Sequence, residues 1–124
     1  IKNPSIEIKN NLSPVEYIQE INSADLFLSC SREESMGLVM MEAIYCGVPV
    51  LATDSGGSSL IINDQNGKIC FDLRPEILAN EVLNLIKAQK QFDKNVMRES
   101  IGKYNIQVEL HKLENILSLE SSHD

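Results

Sequence analysis

Apolar residues fall in short clusters along the chain, and the spacing inside each cluster says which element it builds. Near the start, "SIEIKN" alternates, which predicts one short strand carrying Ile6 and Ile8. The period then changes in "SPVEYIQEINSAD". Ser13, Pro14 and Glu16 spell a helix start: a hydroxyl N-cap, a proline at the first helical position and a glutamate at the third that closes a capping box. Val15, Ile18 and Ile21 make an apolar stripe, and "NSAD" ends that helix. "LFLS" is a short apolar run between turn signals, as expected of a strand buried on both faces. Gly37 to Cys46 is apolar almost all round except for Glu42, and Gly47 is placed to stop this helix as its C′ residue. "VLAT" predicts a buried strand, "DSGGSS" a loop, "LIIND" a helical turn, "QNG" a turn and "KICF" a fourth short strand. Pro75 opens a helix whose apolar face is Leu78, Val82, Leu85 and Ile86. "KQFDKNVMRES" predicts a further short helix, and Ile106, Leu110, Leu113 and Leu117 mark a last amphipathic one before a frayed tail.

Short apolar strands alternating with helices are the pattern of βα units around a parallel sheet with helices on both faces. The expected fold class is therefore α/β. At 124 residues the chain suits one modest domain, and it shows no internal repeat. A net charge of -7 with no cluster of Lys or Arg argues against nucleic acid or an anionic membrane as the main partner. A small anionic ligand stays open, because a helix N-terminus binds phosphate without a basic residue. Cys30, Cys46 and Cys70 sit in apolar surroundings with no metal-ligand spacing, and are read as reduced core residues of a cytoplasmic protein. No signal peptide is visible, and no apolar run approaches the ~20 residues that span a bilayer. The chain opens without Met, as a piece of a longer protein would.

The chemistry concentrates in "EESMGLVMMEAIYCGVP". In an open parallel sheet, ligands bind beyond the carboxyl ends of the strands. The loop after "LFLSC" leads there, and the helix from about Gly37 starts from that loop with free backbone N–H groups and a partial positive charge. Gly37 lets a phosphate approach the backbone closely. Glu42, a little over one turn in, would accept hydrogen bonds from ribose hydroxyls, and Glu34 on the loop would hold sugar hydroxyls on the far side of the ligand. A nucleotide-diphosphate-sugar fits that order of groups. The plainer alternative is a glutamate at a partly exposed helix edge, or one paired with a neighbouring cation. Spacing leaves both open.

The longer stretch "SADLFLSCSREESMGLVMMEAIYCGVPVLATDSGG" resembles the C-terminal domain of retaining GT-B glycosyltransferases of the family-4 type. Their "pSxxEgfGlvllEAmacGxPVvatdxGG" segment carries an E-x7-E motif, and Glu34 and Glu42 have that spacing. "NDQNGKICF" and "RPEILANEVLNLI" resemble the segments that follow, so the likeness covers about residues 6 to 90. The resemblance implies a Rossmann-like parallel sheet with flanking helices, the truncated C-terminal half of a GT-B fold. Residues 1-124 would then be a single, partial nucleotide-sugar-binding domain. It implies that Glu34 contacts the transferred sugar as the catalytic acidic residue, and that Ser35, Met36, Gly37 and Leu38 surround the diphosphate. Glu42 would hold the ribose, and Gly56 would border the donor crevice. No metal or other cofactor is implied; helix N–H groups and basic side chains stabilise the leaving diphosphate.

Departures from the pattern are Ser35 for the usual Gly, Met36 for Phe, and Leu60 where Glu often follows the Gly-Gly pair. The family's acceptor domain and the basic pair that neutralises the diphosphate are missing. Arg32 and Lys68 are the nearest substitutes. The expectation is an inactive fragment of a transferase whose full-length form works at the inner membrane face, with dimerisation through an open sheet edge or the last helix. Two other readings fit less of the motif: a GT-B nucleotide-sugar 2-epimerase, and a non-catalytic GT-B-like partner subunit. Ser31 as a nucleophile is set aside, because neither His111 nor His123 lies near a strand end. Met36, Met40 and Met41 read as core and pocket lining.

Overall fold

The structure, a computed structural model, describes residues 5–30, 38–102 and 118. Helix α1 (Pro14–Asn22) begins as its sequence demands. The Ser13 hydroxyl accepts from the Glu16 N–H at 3.2 Å, and the Glu16 carboxylate accepts from the Ser13 N–H at 3.3 Å. Two of the helix's orphan donors are thereby satisfied. Ile18 and Ile21 are buried. Val15 is not: it is 43% exposed, because the first turn stands clear of the layer that buries the other two.

Strands β1 (Phe27–Ser29), β2 (Val50–Thr53) and β3 (Gly67–Cys70) form a parallel sheet in the order β1-β2-β3. Val50 stands opposite Phe27 on one side and Gly67 on the other. All four residues of β2 are buried, since both faces of the central strand are covered. Val50 and Ala52 join one core with α1, α2 (Leu38–Tyr45), α3 (Ser58–Ile61) and α5 (Lys94–Ser100). Leu51 points the other way and joins Cys70 and Leu85 beneath α4 (Pro75–Lys87). This is the two-period alternation of a strand, hidden in the sequence by burial on both sides.

The close pairing of β2 with β3 depends on Gly67. A Cβ added there would lie 1.9 Å from the Val50 carbonyl oxygen. Helix α2 ends as predicted. Gly47 has φ +81°, its N–H donates to the Ile44 carbonyl, and the Val48 N–H donates to the Ala43 carbonyl, the two bonds of a Schellman motif. Arg98 of α5 then clamps that helix end. Its Nε donates to the Tyr45 carbonyl at 2.8 Å, and its guanidinium lies 4.1 Å from the centre of the Tyr45 ring.

Several expectations need correction. The strand at Ile6 and Ile8 is absent: residues 6–10 have no regular structure and both isoleucines are exposed. Lys9 pairs instead with Glu20 of α1, which holds the segment beside the helix rather than on the sheet. The helical turn read at "LIIND" starts earlier, at Ser58, and ends at Ile61. "KQFDKNVMRES" divides into a 3-10 turn (Gln89–Gln91) and α5, with the Asp93 carboxylate capping α5 through the Asn95 and Val96 N–H groups. Phe71 lies beyond β3 and is exposed. Of the cysteines, Cys46 and Cys70 are buried, but Cys30 is exposed, because it follows the last residue of an outer strand. The last helix, at Ile106 to Leu117, lies outside the described residues.

Candidate functional site

The carboxyl ends of the three parallel strands lie on one side, and the described site residues belong to the segments leaving them. After β1 the chain reaches α2. Leu38 and Val39, at its start, are exposed, whereas Met40 and Met41 are almost wholly buried. So α2 opens to solvent at its N-terminal turn and sinks into the core within one further turn. Methionines 40 and 41 are core, as expected. Among the described residues there is no group of three His, Cys, Asp or Glu placed to hold a metal ion.

Glu42 is the polar exception on α2, and it is half-buried. Tyr17 of α1 lies close enough to feel its charge. Burial, foremost, and then the neighbouring Glu42 carboxylate push the Tyr17 phenol far above its ordinary value near 10. Tyr17 packs by its ring against the main core and, with Ile21, Ala24 and Phe27, also walls a hollow of about 360 Å³ beside β1. The acid foreseen inside an apolar helix therefore has the phenol of Tyr17 among its neighbours.

After β2, the chain turns through residues 54–57 into α3. The turn is held from within. The Ser58 hydroxyl donates to the Thr53 carbonyl at 2.9 Å and accepts from the Ser55 N–H at 3.1 Å, while the Ser55 hydroxyl accepts from the Ser58 N–H at 3.3 Å. Thr53 in turn donates to the Ser29 carbonyl at 3.4 Å, tying the ends of β1 and β2 together. Gly56 rides on this rigid base, exposed, with φ +81° and open space where a Cβ would be. The serines were read in the sequence only as loop composition. Their spacing, Ser55 to Ser58, is that of a reciprocal cap and was the signal available.

Of the two cations singled out in the sequence, the structure describes Lys68. Lys68 lies opposite Leu51 on the α4 side of the sheet, near the start of β3, where its Nζ is 2.6 Å from Glu81. It cannot serve the carboxyl end of the sheet. Arg74, unremarked in the sequence, follows β3 at that end. It forks onto Asp72, with contacts of 2.6 and 3.0 Å. Arg74 holds the Asp72 carboxyl below its usual range. Glu34, Ser35, Met36 and Gly37, with Ser31 and Arg32, lie outside the described residues, as do His111 and His123. Of the predicted site, the structure describes Leu38, Glu42 and Gly56.

The sequence pattern described as "Glycosyl transferases group 1" matches residues 2–108. The chain belongs to that family. Curated relatives with similar sequence agree. The chain is 41% identical over 61 residues to the sulfoquinovosyl transferase of Arabidopsis thaliana, covering 48% of this chain and 12% of that protein. It is 30% identical over 105 residues to an uncharacterised glycosyltransferase of Methanocaldococcus jannaschii, covering 77% of this chain and 28% of that protein. A third relative, the D-inositol 3-phosphate glycosyltransferase of Segniliparus rotundus, is 34% identical over 79 residues, covering 63% of this chain and 18% of that protein. The matches thus span between 12% and 28% of the length of these relatives. The three-stranded α/β layer fits a Rossmann-like part of a group 1 glycosyltransferase domain. No helix among the described residues is long and apolar enough to cross a membrane.

Proposed function

We propose that this chain is the donor-binding part of a retaining glycosyltransferase of the GT-B type. It would hold a nucleotide-diphosphate-sugar at the carboxyl end of its sheet for transfer to an acceptor bound elsewhere in the full-length protein. The observation that carries this reading is Glu42. In a group 1 glycosyltransferase chain, a half-buried carboxylate sits on the helix that leaves the first strand, just behind that helix's solvent-open turn. A carboxylate has about four acceptor sites, enough to take two ribose hydroxyls beside a contact within the protein. Leu38 and the residues before it would surround the diphosphate with backbone N–H groups. Gly56, on its rigid turn, would border the sugar side. Glu34 would touch the transferred sugar as the catalytic acidic residue.

The chemistry asked of these residues is binding, orientation and charge stabilisation of the leaving diphosphate. Neither metal nor cofactor has a role in the proposal. Titration calorimetry of the protein at its natural length with UDP-, GDP- and ADP-sugars tests it. One of these donors should bind. Glu42→Ala should weaken it by roughly tenfold to a hundredfold, the loss of about two charge-assisted hydrogen bonds. Glu34→Ala should abolish transfer while donor binding persists. Equal donor affinity in Glu42→Ala and the parent protein would end the reading.

A further inference from the structure

The turn that leaves β2 carries an acid to which no role has been given. Asp54 is the second residue past Ala52, which is paired with Ser29 at the end of β1, so it stands at the carboxyl end of the central strand. Its carboxylate accepts from the Gly56 N–H at 3.4 Å, and among the described residues it makes no other hydrogen bond or ion pair. Asp54 and Gly56 are both exposed, and a Cβ at Gly56 would meet nothing within 4 Å, so the space before the turn is open. Beneath them the turn is stiff, held by the reciprocal bonds of Ser55 and Ser58 and by the Ser58 hydroxyl on the Thr53 carbonyl. Helix α3, which the turn enters, packs with α2 on the face of the sheet that carries Val50 and Ala52. The turn thus shares one face and one end of the sheet with the solvent-open first turn of α2 at Leu38 and Val39. Arg74, the cation that follows β3 at this end, is forked onto Asp72 and not onto Asp54.

Resting on the reading of this end of the sheet as the donor crevice, we propose that Asp54 is a specificity-determining residue for the transferred sugar. Its carboxylate accepts from a hydroxyl of that sugar, and its charge keeps out sugars that carry a carboxylate of their own. The donor class is then a neutral hexosyl nucleotide rather than a hexuronosyl one. A hydroxyl donates to a carboxylate in a short, charge-assisted bond. The Gly56 bond engages one carboxylate oxygen, so the side chain is oriented before the sugar arrives and less rotamer freedom is lost on binding. A second carboxylate brought against Asp54 would be repelled, and both groups would lose water without gaining a donor. That is discrimination by exclusion of the wrong ligand.

The experiment is calorimetry on the protein at its natural length. The nucleotide is whichever of UDP, GDP or ADP binds, offered free, carrying glucose or mannose, and carrying glucuronate or mannuronate. The parent protein should bind the hexose form at least about tenfold more tightly than the hexuronate form. Asp54→Ala should cut affinity for the hexose form roughly fivefold to tenfold, the worth of one hydrogen bond to a charged group, and leave affinity for the free nucleoside diphosphate unchanged. Asp54→Asn keeps an acceptor for the Gly56 N–H and removes the charge, so it should narrow the hexose preference by raising affinity for the hexuronate form. Equal losses for the free and the sugar-bearing nucleotide in Asp54→Ala would mean that Asp54 only holds the turn, and that result overturns the proposal. Unchanged affinities in both variants overturn it as well, as does a parent protein that binds the two sugar forms alike or prefers the hexuronate. If Glu42→Ala still weakens the nucleoside diphosphate in those cases, the donor reading stands and the Asp54 inference falls. A parent protein that binds none of these nucleotides overturns both.

Discussion

At the scale of single residues, two polar groups decide the most. Asn66 is fully buried, and its side chain satisfies three segments at once. Its amide donates to the Ile61 carbonyl at 3.0 Å and to the Ser100 hydroxyl at 2.9 Å, and its carbonyl accepts from the Asn63 N–H at 2.9 Å. Asn66→Ala strands those partners, so it should lower unfolding free energy by about 2–4 kcal/mol, measured by urea titration. Tyr17 is the second. The fold keeps its phenol protonated well above the ordinary value of 10. A raised acid of this kind contributes stability that is complete below the unfolded value and is lost as pH climbs from there towards the raised folded value. Unfolding free energy should therefore decline as pH rises above 10, and decline less steeply in Tyr17→Phe. Identical slopes in the two proteins would mean that the fold does not raise the Tyr17 phenol. Local chemistry announced neither effect. Tyr17 stood in the sequence as one residue of a helix, and only the packing of α1 against α2 gives it a partner.

At the scale of elements, what was legible was whatever rests on neighbouring residues. The α1 capping box and the Gly47 stop of α2 are bonds between groups a few residues apart, so their residue types alone predict them. The predicted strand at Ile6 and Ile8 failed because alternation describes a strand only if a sheet edge receives it, and Lys9 is drawn to Glu20 instead. Lys68 was misread for a related reason. Its face depends on the register of β3 against β2, which sets it opposite Leu51 and towards Glu81. That same register makes Gly67 the least replaceable residue of β3. Gly67→Ala drives a methyl into the Val50 carbonyl, so the sheet must part or the chain must slip. The expected result is loss of more than about 4 kcal/mol, seen as failure to show a cooperative thermal transition.

At the scale of the whole molecule, the sheet has two outer strands, β3 and β1, and the free edge of β1 finds no partner among the described residues. Leu28 of that strand is 44% exposed on the same face as Leu51, beside the cover that α4 gives to β2 and β3. Unpaired edges with apolar neighbours promote association, and a lysine there opposes it. The 124-residue chain on its own should self-associate with rising concentration in light scattering, and Leu28→Lys should shift it towards monomer. A monomeric parent chain at high concentration would count against the edge as the cause. By itself the chain should also turn over no donor, because an acceptor site is no part of the proposed crevice; measurable transfer by the chain alone would refute this.

The sequence by itself determined the alternation of helix and strand from Pro14 to Ser100, the turn chemistry between them, and the spacing of Glu34 and Glu42. These depend on backbone geometry over a few residues, where side-chain type is sufficient cause. Tertiary structure alone decided the strand order, the face each β3 side chain takes, and the meeting of Tyr17 with Glu42. Those contacts join residues distant along the chain, and they form only where burial of whole helices against the sheet outweighs the entropy of bringing them together.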